Sequence, residues 1–384
     1  MGPVPITPLE DPRERSARVK LTAGTFAGCG TSVGVGAGVL VLTTSLDVAV
    51  VVGVVSGGVG VLTHAAASSV AATAIADRRA PSPLLTRRAS RLTRIRVSLV
   101  STLARADLFW STERVASAIG DPRVRLIDCR FSFDEDMRSR YLEGHVPGAV
   151  YLSWAEDLSA PAPPSGHPRW MLQGGAAFAR TMARFGIGDD TMVVGYDSEG
   201  GHHAARLWLA LRRFGHDRMA VMEGGIQKWI AEGRPLESGS RSVEAPAIFT
   251  PRPREGVVAS KEEVLAAVRS GDPWLLDVRR DSEFTGVEKR AARGGHIPGA
   301  VNILWKDALN DDWTLRDADE LEEFYTNAGF GPETSTITYC QAGVRAAFTH
   351  LVLTALGHDQ VRTYDGSWEE WGNDPALPII TGRS

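Results

Sequence analysis

Leu126-Ile127-Asp128-Cys129-Arg130 and, far downstream, Leu275-Leu276-Asp277-Val278-Arg279 are the stretches that decide the fold, because each opens the same succession of motifs. Gly144-His145-Val146-Pro147-Gly148-Ala149-Val150 follows the first, and Gly295-His296-Ile297-Pro298-Gly299-Ala300-Val301 follows the second, with Trp154 and Trp305 next in line. Phe214-Gly215-His216-Asp217 is answered by Leu356-Gly357-His358-Asp359, and Gly224 with Trp229 by Gly366 with Trp371. Matches that keep their order over so long a stretch mark an internal duplication. Two homologous domains are therefore predicted.

Each copy alternates strand-like and helix-like segments. Arg123–Asp128, Thr191–Tyr196, Trp274–Asp277 and Ser335–Tyr339 read as short buried strands. Amphipathic helices are predicted over 111–119, 175–185, 203–214 and 261–268. That alternation implies α/β domains, each a parallel sheet flanked by helices. Residues 241–256, with Pro246, Pro251 and Pro253, read as an extended linker. The predicted organisation is an extension over 1–100, a first α/β domain over 104–240, the linker, and a second α/β domain over 257–384.

With 384 residues, 43% of them hydrophobic, the chain is long enough to bury more than one core. A net charge of -4 and dispersed arginines argue against a nucleic-acid partner. Three cysteines, Cys29, Cys129 and Cys340, are too few and too scattered for a disulfide framework or a cysteine-based zinc site. They suit a reducing compartment, and the expected location is the cytoplasm.

The extension has its own texture. Residues 21–76 are rich in small residues, and 77–96 carry Arg78, Arg79, Arg87, Arg88, Arg91, Arg94 and Arg96. Val33–Leu62 is almost uncharged and long enough for a membrane span. Seven glycines interrupt it, and Asp47 at its centre would cost about 2.5–3.5 kcal/mol in a bilayer. Phe26-Ala27-Gly28-Cys29 faintly resembles a lipoprotein cleavage site, but the apolar stretch before it is too short. The expectation is a disordered or mis-started segment outside the fold, with membrane association through 33–62 as the less favoured reading.

The two copies differ at one corner. The strand Thr191–Tyr196 runs into Asp197, whereas Ser335–Tyr339 runs into Cys340. In open α/β sheets ligands bind beyond the carboxyl ends of strands, so both positions stand where chemistry is placed. After Cys340 come Gln341, Ala342, Gly343, Val344 and Arg345, and then an apolar helical run from Ala346 to Leu356. A thiolate there faces unpaired backbone N–H groups and the positive end of a helix dipole, and both favour the anion. Gly343 permits the bend that turns the amides inward. Arg345 adds a cation at the rim suited to an anionic donor. A lone cysteine is more often a small core residue. Its place at a strand end before a glycine-containing loop outweighs that reading.

With these motifs in hand, residues 104–380 resemble the tandem-domain rhodaneses, which include thiosulfate and 3-mercaptopyruvate sulfurtransferases, in a prokaryotic type with a Cys340-to-Arg345 loop of sequence CQAGVR. The resemblance rests on Asp277-Val278-Arg279 with Gly295–Ala300, on the Cys340 loop, and on the ending from Gly366 to Trp371. It implies that the first domain is catalytically silent, in agreement with Asp197 at the cysteine position. It also implies that Cys340 takes sulfur from a small anionic donor and holds it as a persulfide. The amides of Gln341 to Arg345 would stabilise that anion, and a thiol or cyanide would accept the sulfur. No metal and no cofactor are implied.

The resemblance leaves the donor open. Thiosulfate enzymes of the mammalian type look like Cys-Arg-Lys-Gly-Val-Thr, and the two cations are replaced here by Gln341 and Ala342. Mercaptopyruvate enzymes look like Cys-Gly-Ser-Gly-Val-Thr, and Ala342 stands at the serine. A proton-relay pair of the first domain aligns with Ala155 and Trp170, and a donor-binding arginine of both classes aligns with Glu283. Thiosulfate is the expected donor, with mercaptopyruvate the alternative and a non-catalytic sulfur-relay module a more distant one. Cysteine phosphatases of related fold use Cys-x5-Arg, one residue longer than Cys340-x4-Arg345.

Asp277 and Arg279 recur as Asp128 and Arg130 in the copy without the cysteine, which favours a structural tie between strand and loop. The same reasoning makes His145 and His296 local hydrogen-bonding residues. His202 and His203 fall in the first domain's loop and, with Glu283, are the residues expected at the donor pocket. Glu199-Gly200-Gly201 lacks the spacing of a phosphate-binding loop.

Overall fold

The computed structural model describes residues 39–43, 49–55, 58–62, 105–243 and 247–383. Strands β1 (Val39–Thr43), β2 (Ala49–Val55) and β3 (Gly58–Leu62) pair in order as an antiparallel sheet. Valine-rich runs of five to seven residues favour the pleated backbone. These three strands fall within the Val33–Leu62 stretch. Asp47, Cys29, the Phe26–Cys29 stretch and the arginine run over 77–96 lie outside the described residues. Among the described residues no helix is long and apolar enough to cross a membrane.

The remainder forms a separate unit built from the duplication. The first domain contains β4 (Phe109–Trp110), α1 (Thr112–Ala118), β5 (Val124–Asp128), α2 (Met137–Glu143), β6 (Val150–Tyr151), α3 (Gly175–Arg184), β7 (Met192–Tyr196), α4 (His202–Arg213), β8 (Met219–Met222) and α5 (Gly225–Ala231). The second contains β9 (Val258–Ala259), α6 (Lys261–Ser270), β10 (Trp274–Asp277), α7 (Asp281–Phe284), β11 (Val301–Asn302), α8 (Ala318–Asn327), β12 (Thr336–Tyr339), α9 (Val344–Ala355), β13 (Val361–Tyr364) and α10 (Ser367–Trp371).

Both sheets are parallel, ordered β4-β8-β7-β5-β6 and β9-β13-β12-β10-β11. The orders coincide strand for strand, so the duplicated motifs build duplicated topology. The Asp-x-Arg repeat does the same thing twice. Arg130 Nη2 lies 2.6 Å from Asp128 and also donates to the Gly144 carbonyl. Arg279 Nη2 lies 2.6 Å from Asp277 and donates to the Gly295 carbonyl. Each pair ties the end of a central strand to the Gly-His-x-Pro-Gly-Ala turn. His145 and His296 bond to the Tyr141 and Phe284 carbonyls, each stacked on the same residue's ring.

Helices α4 and α9 follow the two loops that matter, and each is buried along nearly its whole length. A helix buried all round must be sandwiched. Each covers its own sheet and packs on the other helix, so Ala204, Leu207, Leu211, Ala347, Phe348 and Leu351 share one apolar core running through both domains. The described part of the linker stays extended across the first domain. Phe249 packs on Phe178 and His216, and Arg252 N–H donates to the Phe214 carbonyl. Pro246 lies outside the described residues.

Candidate active site

Parallel strands deliver their carboxyl ends to one edge, and the α4–α9 packing sets the two loops at those edges face to face. Between them is a cavity of about 650 Å³. The second domain contributes Cys340, Gln341, Ala342, Val344 and Arg345 to its lining, and the first contributes His202 and His203. Phe131, Phe133, Trp154 and Trp170 form an aromatic wall with ring centroids 4.8–6.4 Å apart, which His203 joins against Trp154. Trp305 closes against His202 at 4.5 Å.

Cys340 sits directly after β12 and is 1% exposed. Its N–H donates to Ser367 Oγ at 3.1 Å, and its carbonyl accepts from Trp368 N–H at 2.9 Å, so α10 fixes the cysteine backbone from behind. Only Gln341, Ala342 and Gly343 separate it from α9. Helix α9 thus begins two residues before the expected Ala346, and Val344 and Arg345 belong to its first turn. Gly343 takes φ 71°, and a Cβ there would stand 2.6 Å from Arg206 Nη1 and 2.9 Å from the Asp365 carbonyl oxygen. Among the described residues, the N–H groups of Gln341 to Arg345 donate to no acceptor. These are the orphan donors of a helix start, gathered beside a thiol.

The first domain's loop has one residue more and the opposite outcome. Asp197 is fully buried, and its carboxylate accepts from the N–H groups of Glu199, Gly201, His203 and Ala204 at 2.8–3.2 Å. Its amide cradle holds its own carboxylate. Beneath it Cys129 is fully buried, and burial, with Asp197 and Asp128 nearby, pushes that thiol well above its ordinary range.

Two site expectations need correction. Glu283 does not line the cavity. It is 1% exposed and holds Arg345 through two hydrogen bonds of 2.8 and 2.9 Å, with Arg280 and Arg290 beside it. Burial alone would raise its carboxyl, but Arg345 outweighs burial and brings it down to about 2. Arg345 is correspondingly not a free cation at the rim. Burial opposes its charge, and the Glu283 hydrogen bonds with the nearby Cys340 hold it above its ordinary value.

Sequence reading passed over the residues that lock the domains together here. Arg206, in the middle of α4 and wholly buried, pairs with Asp365 at 2.7 Å and donates to the carbonyls of Trp170 and Gly343. Asp365 also accepts from Leu172 N–H at 2.9 Å. Glu369, 1% exposed, receives His167 and Arg169 from the first domain and the Gln341 side chain from the loop. The available signal was Arg206 inside Ala204-Ala205-Arg206-Leu207-Trp208-Leu209, since an arginine on an otherwise buried helix requires a partner.

With this geometry in place, comparison with known proteins is direct. The chain is 38% identical to a thiosulfate sulfurtransferase of Corynebacterium glutamicum, over 71% of this chain and 92% of that protein. It is 35% identical to the sulfur carrier protein TtuD of Thermus thermophilus, over 73% and 99%. The crystal structure of SseA from Escherichia coli, a 3-mercaptopyruvate sulfotransferase, superimposes with a TM-score of 0.62 at 30% identity, covering 68% of this chain and 99% of SseA. The rhodanese-like domain model matches twice, over residues 111–232 and 260–374. Two loops of one framework, one closed on a carboxylate and one open around a thiol, are thus the two halves of a chain that belongs to the rhodanese family.

Proposed function

We propose that this chain is a sulfurtransferase that carries sulfane sulfur on Cys340, with thiosulfate as donor and a thiol or cyanide as acceptor. The observation that supports this most is the open loop: five consecutive amides beside a buried thiol, donating to no acceptor among the described residues, at the start of a 12-residue helix. None of them donates to Cys340 Sγ itself, which suits a second sulfur carried beyond it.

In the first step the Cys340 thiolate attacks the outer sulfur of thiosulfate, the S–S bond breaks, and sulfite leaves with the electron pair. In the second, a thiolate or cyanide attacks the terminal sulfur, and Cys340 leaves as the thiolate. No net oxidation is required. The dianionic donor would meet a cavity lined by Arg169, Arg280, Arg290 and Lys306. The likeness to SseA keeps mercaptopyruvate as the alternative donor. That reading is weakened by Ala342, which offers no hydroxyl. The likeness to TtuD supports a relay reading, in which a partner protein loads the cysteine.

Thiocyanate formation from cyanide, measured in parallel with thiosulfate and mercaptopyruvate, separates these cases. Ping-pong kinetics with thiosulfate, and a protein mass increased by one sulfur atom that cyanide removes, are expected. Turnover surviving Cys340→Ser would overturn the proposal, and negligible turnover with both small donors would favour the relay.

A further inference from the structure

One cluster in the cavity wall has no part in the sulfur chemistry above. Glu199, His202 and His203 bring one ligand atom each to within 4.8 Å of one another. His202 Nδ1 lies 2.9 Å from the Glu199 carbonyl oxygen, so in the neutral ring that nitrogen carries the proton and Nε2 presents a lone pair. Nε2 stands 3.8 Å from the Glu199 carboxylate. His203, 7% exposed, has an Nδ1 that is buried with no hydrogen-bond partner among the described residues. A buried ring nitrogen left unpaired costs free energy and calls for an explanation.

We propose that Glu199, His202 and His203 form a site for one divalent transition-metal ion of the zinc class, in the wall of the cavity that also holds Cys340. Two imidazoles and one carboxylate are a ligand set that zinc takes with a position left open. Imidazole disfavours magnesium and calcium, which prefer all-oxygen shells. Tetrahedral zinc needs its ligand atoms about 3.4 Å apart, closer than the cluster now holds them. The Glu199 side chain is half exposed, so binding would draw it inward.

The electrostatic surroundings permit a cation. The positive start of α4 lies beneath the cluster, but Asp197 already occupies its amides. Of the four arginines lining the cavity, Arg169 is paired with Glu369, Arg345 with Glu283, and Arg280 and Arg290 each with Glu283 and Glu288. The open coordination position would face the same space as the thiol.

The test measures binding alone, so it stands or falls independently of sulfur transfer. The full-length protein carrying Cys340→Ser, which removes the thiolate as a competing ligand, is titrated with Zn2+ by calorimetry and with Co2+ by visible absorption. One equivalent of Zn2+ and an intense tetrahedral Co2+ spectrum are expected. Adding Glu199→Gln or His202→Ala should weaken binding by about tenfold or more. Glu199→Gln changes a half-exposed side chain, so it decides the matter if the histidine variant fails to fold. No zinc uptake by the Cys340→Ser protein, or equal uptake with Glu199→Gln added, overturns the proposal.

Discussion

The loop after Asp197 and the loop after Cys340 start from the same framework: a central parallel strand, a turn ending in a left-handed glycine, and a long buried helix. Four residues separate Asp197 from α4, and three separate Cys340 from α9. The first loop wraps four amides around its own carboxylate, whereas the second leaves five amides without an acceptor among the described residues. The same backbone concavity is filled by a carboxylate in one domain and, in the proposed function, serves as an anion receptor in the other. A carboxylate satisfies the donors permanently. A thiol does so only when it carries something charged. The Asp197 copy thus keeps the loop shape without a thiol.

Substituting the thiol should break the contrast most sharply. Cys340→Ser is expected to lower thiocyanate formation by about three orders of magnitude or more, since an alkoxide cannot replace a thiolate at neutral pH. Its melting temperature should barely move, because no hydrogen bond of the Cys340 side chain is lost.

The mirror experiment should injure stability instead. Asp197→Ala strips four buried N–H groups of their acceptor and should cost about 3–5 kcal/mol in denaturant unfolding. If Asp197→Ala instead left stability unchanged and Cys340→Ser unfolded the protein, the assignment of plug and receptor would be reversed.

The third prediction concerns acid. Glu283 sits at about 2 in the folded chain against an ordinary 4.5. A carboxyl with a depressed folded value stabilises the fold above its unfolded value, and that contribution disappears as pH falls through the folded one. Stability of about 3 kcal/mol should therefore drain away between pH 4.5 and 2. Glu283→Gln should flatten that part of the profile, while lowering stability near neutrality by leaving Arg345 unpaired. The smallest effect is expected from Gly343→Ala, at about 1–3 kcal/mol, through its left-handed backbone and the approach of Arg206. Loss of sulfur transfer out of proportion to the loss of stability would tie loop shape to chemistry.

The duplication and the strand–helix alternation were legible because they depend on local pattern: Leu-x-Asp-x-Arg needs only the next turn, and helix starts such as Ser111 and Ser260 announce themselves. Cys340 was legible for the same reason, as a position at a strand end. The partners of Arg345 and Arg206 were not, because ion pairs spanning 62 and 159 residues leave no periodic trace. Glu283 aligned with a donor-binding position and turned out to face inward. Alignment fixes a residue's place along the chain, but its environment depends on what Arg345 does. The strands within Val33–Leu62 were not legible, because glycine-interrupted valines are equally compatible with disorder and with strands.

The buried Arg206–Asp365 pair bears on whether the halves can live apart. Residues 257–384 released alone would bare the face of α9 that now covers α4, and would leave Asp365 charged without its guanidinium. Catalytic independence and folding independence are then different properties. The copy that carries Asp197 at this corner cannot be discarded, because it supplies half of a shared core and one member of a shared ion pair. A single-domain relative built on the same frame would need a polar surface on that helix and a neutral residue in place of Asp365. Exchange of domains between members of the family should succeed only when Arg206 and Asp365 travel together.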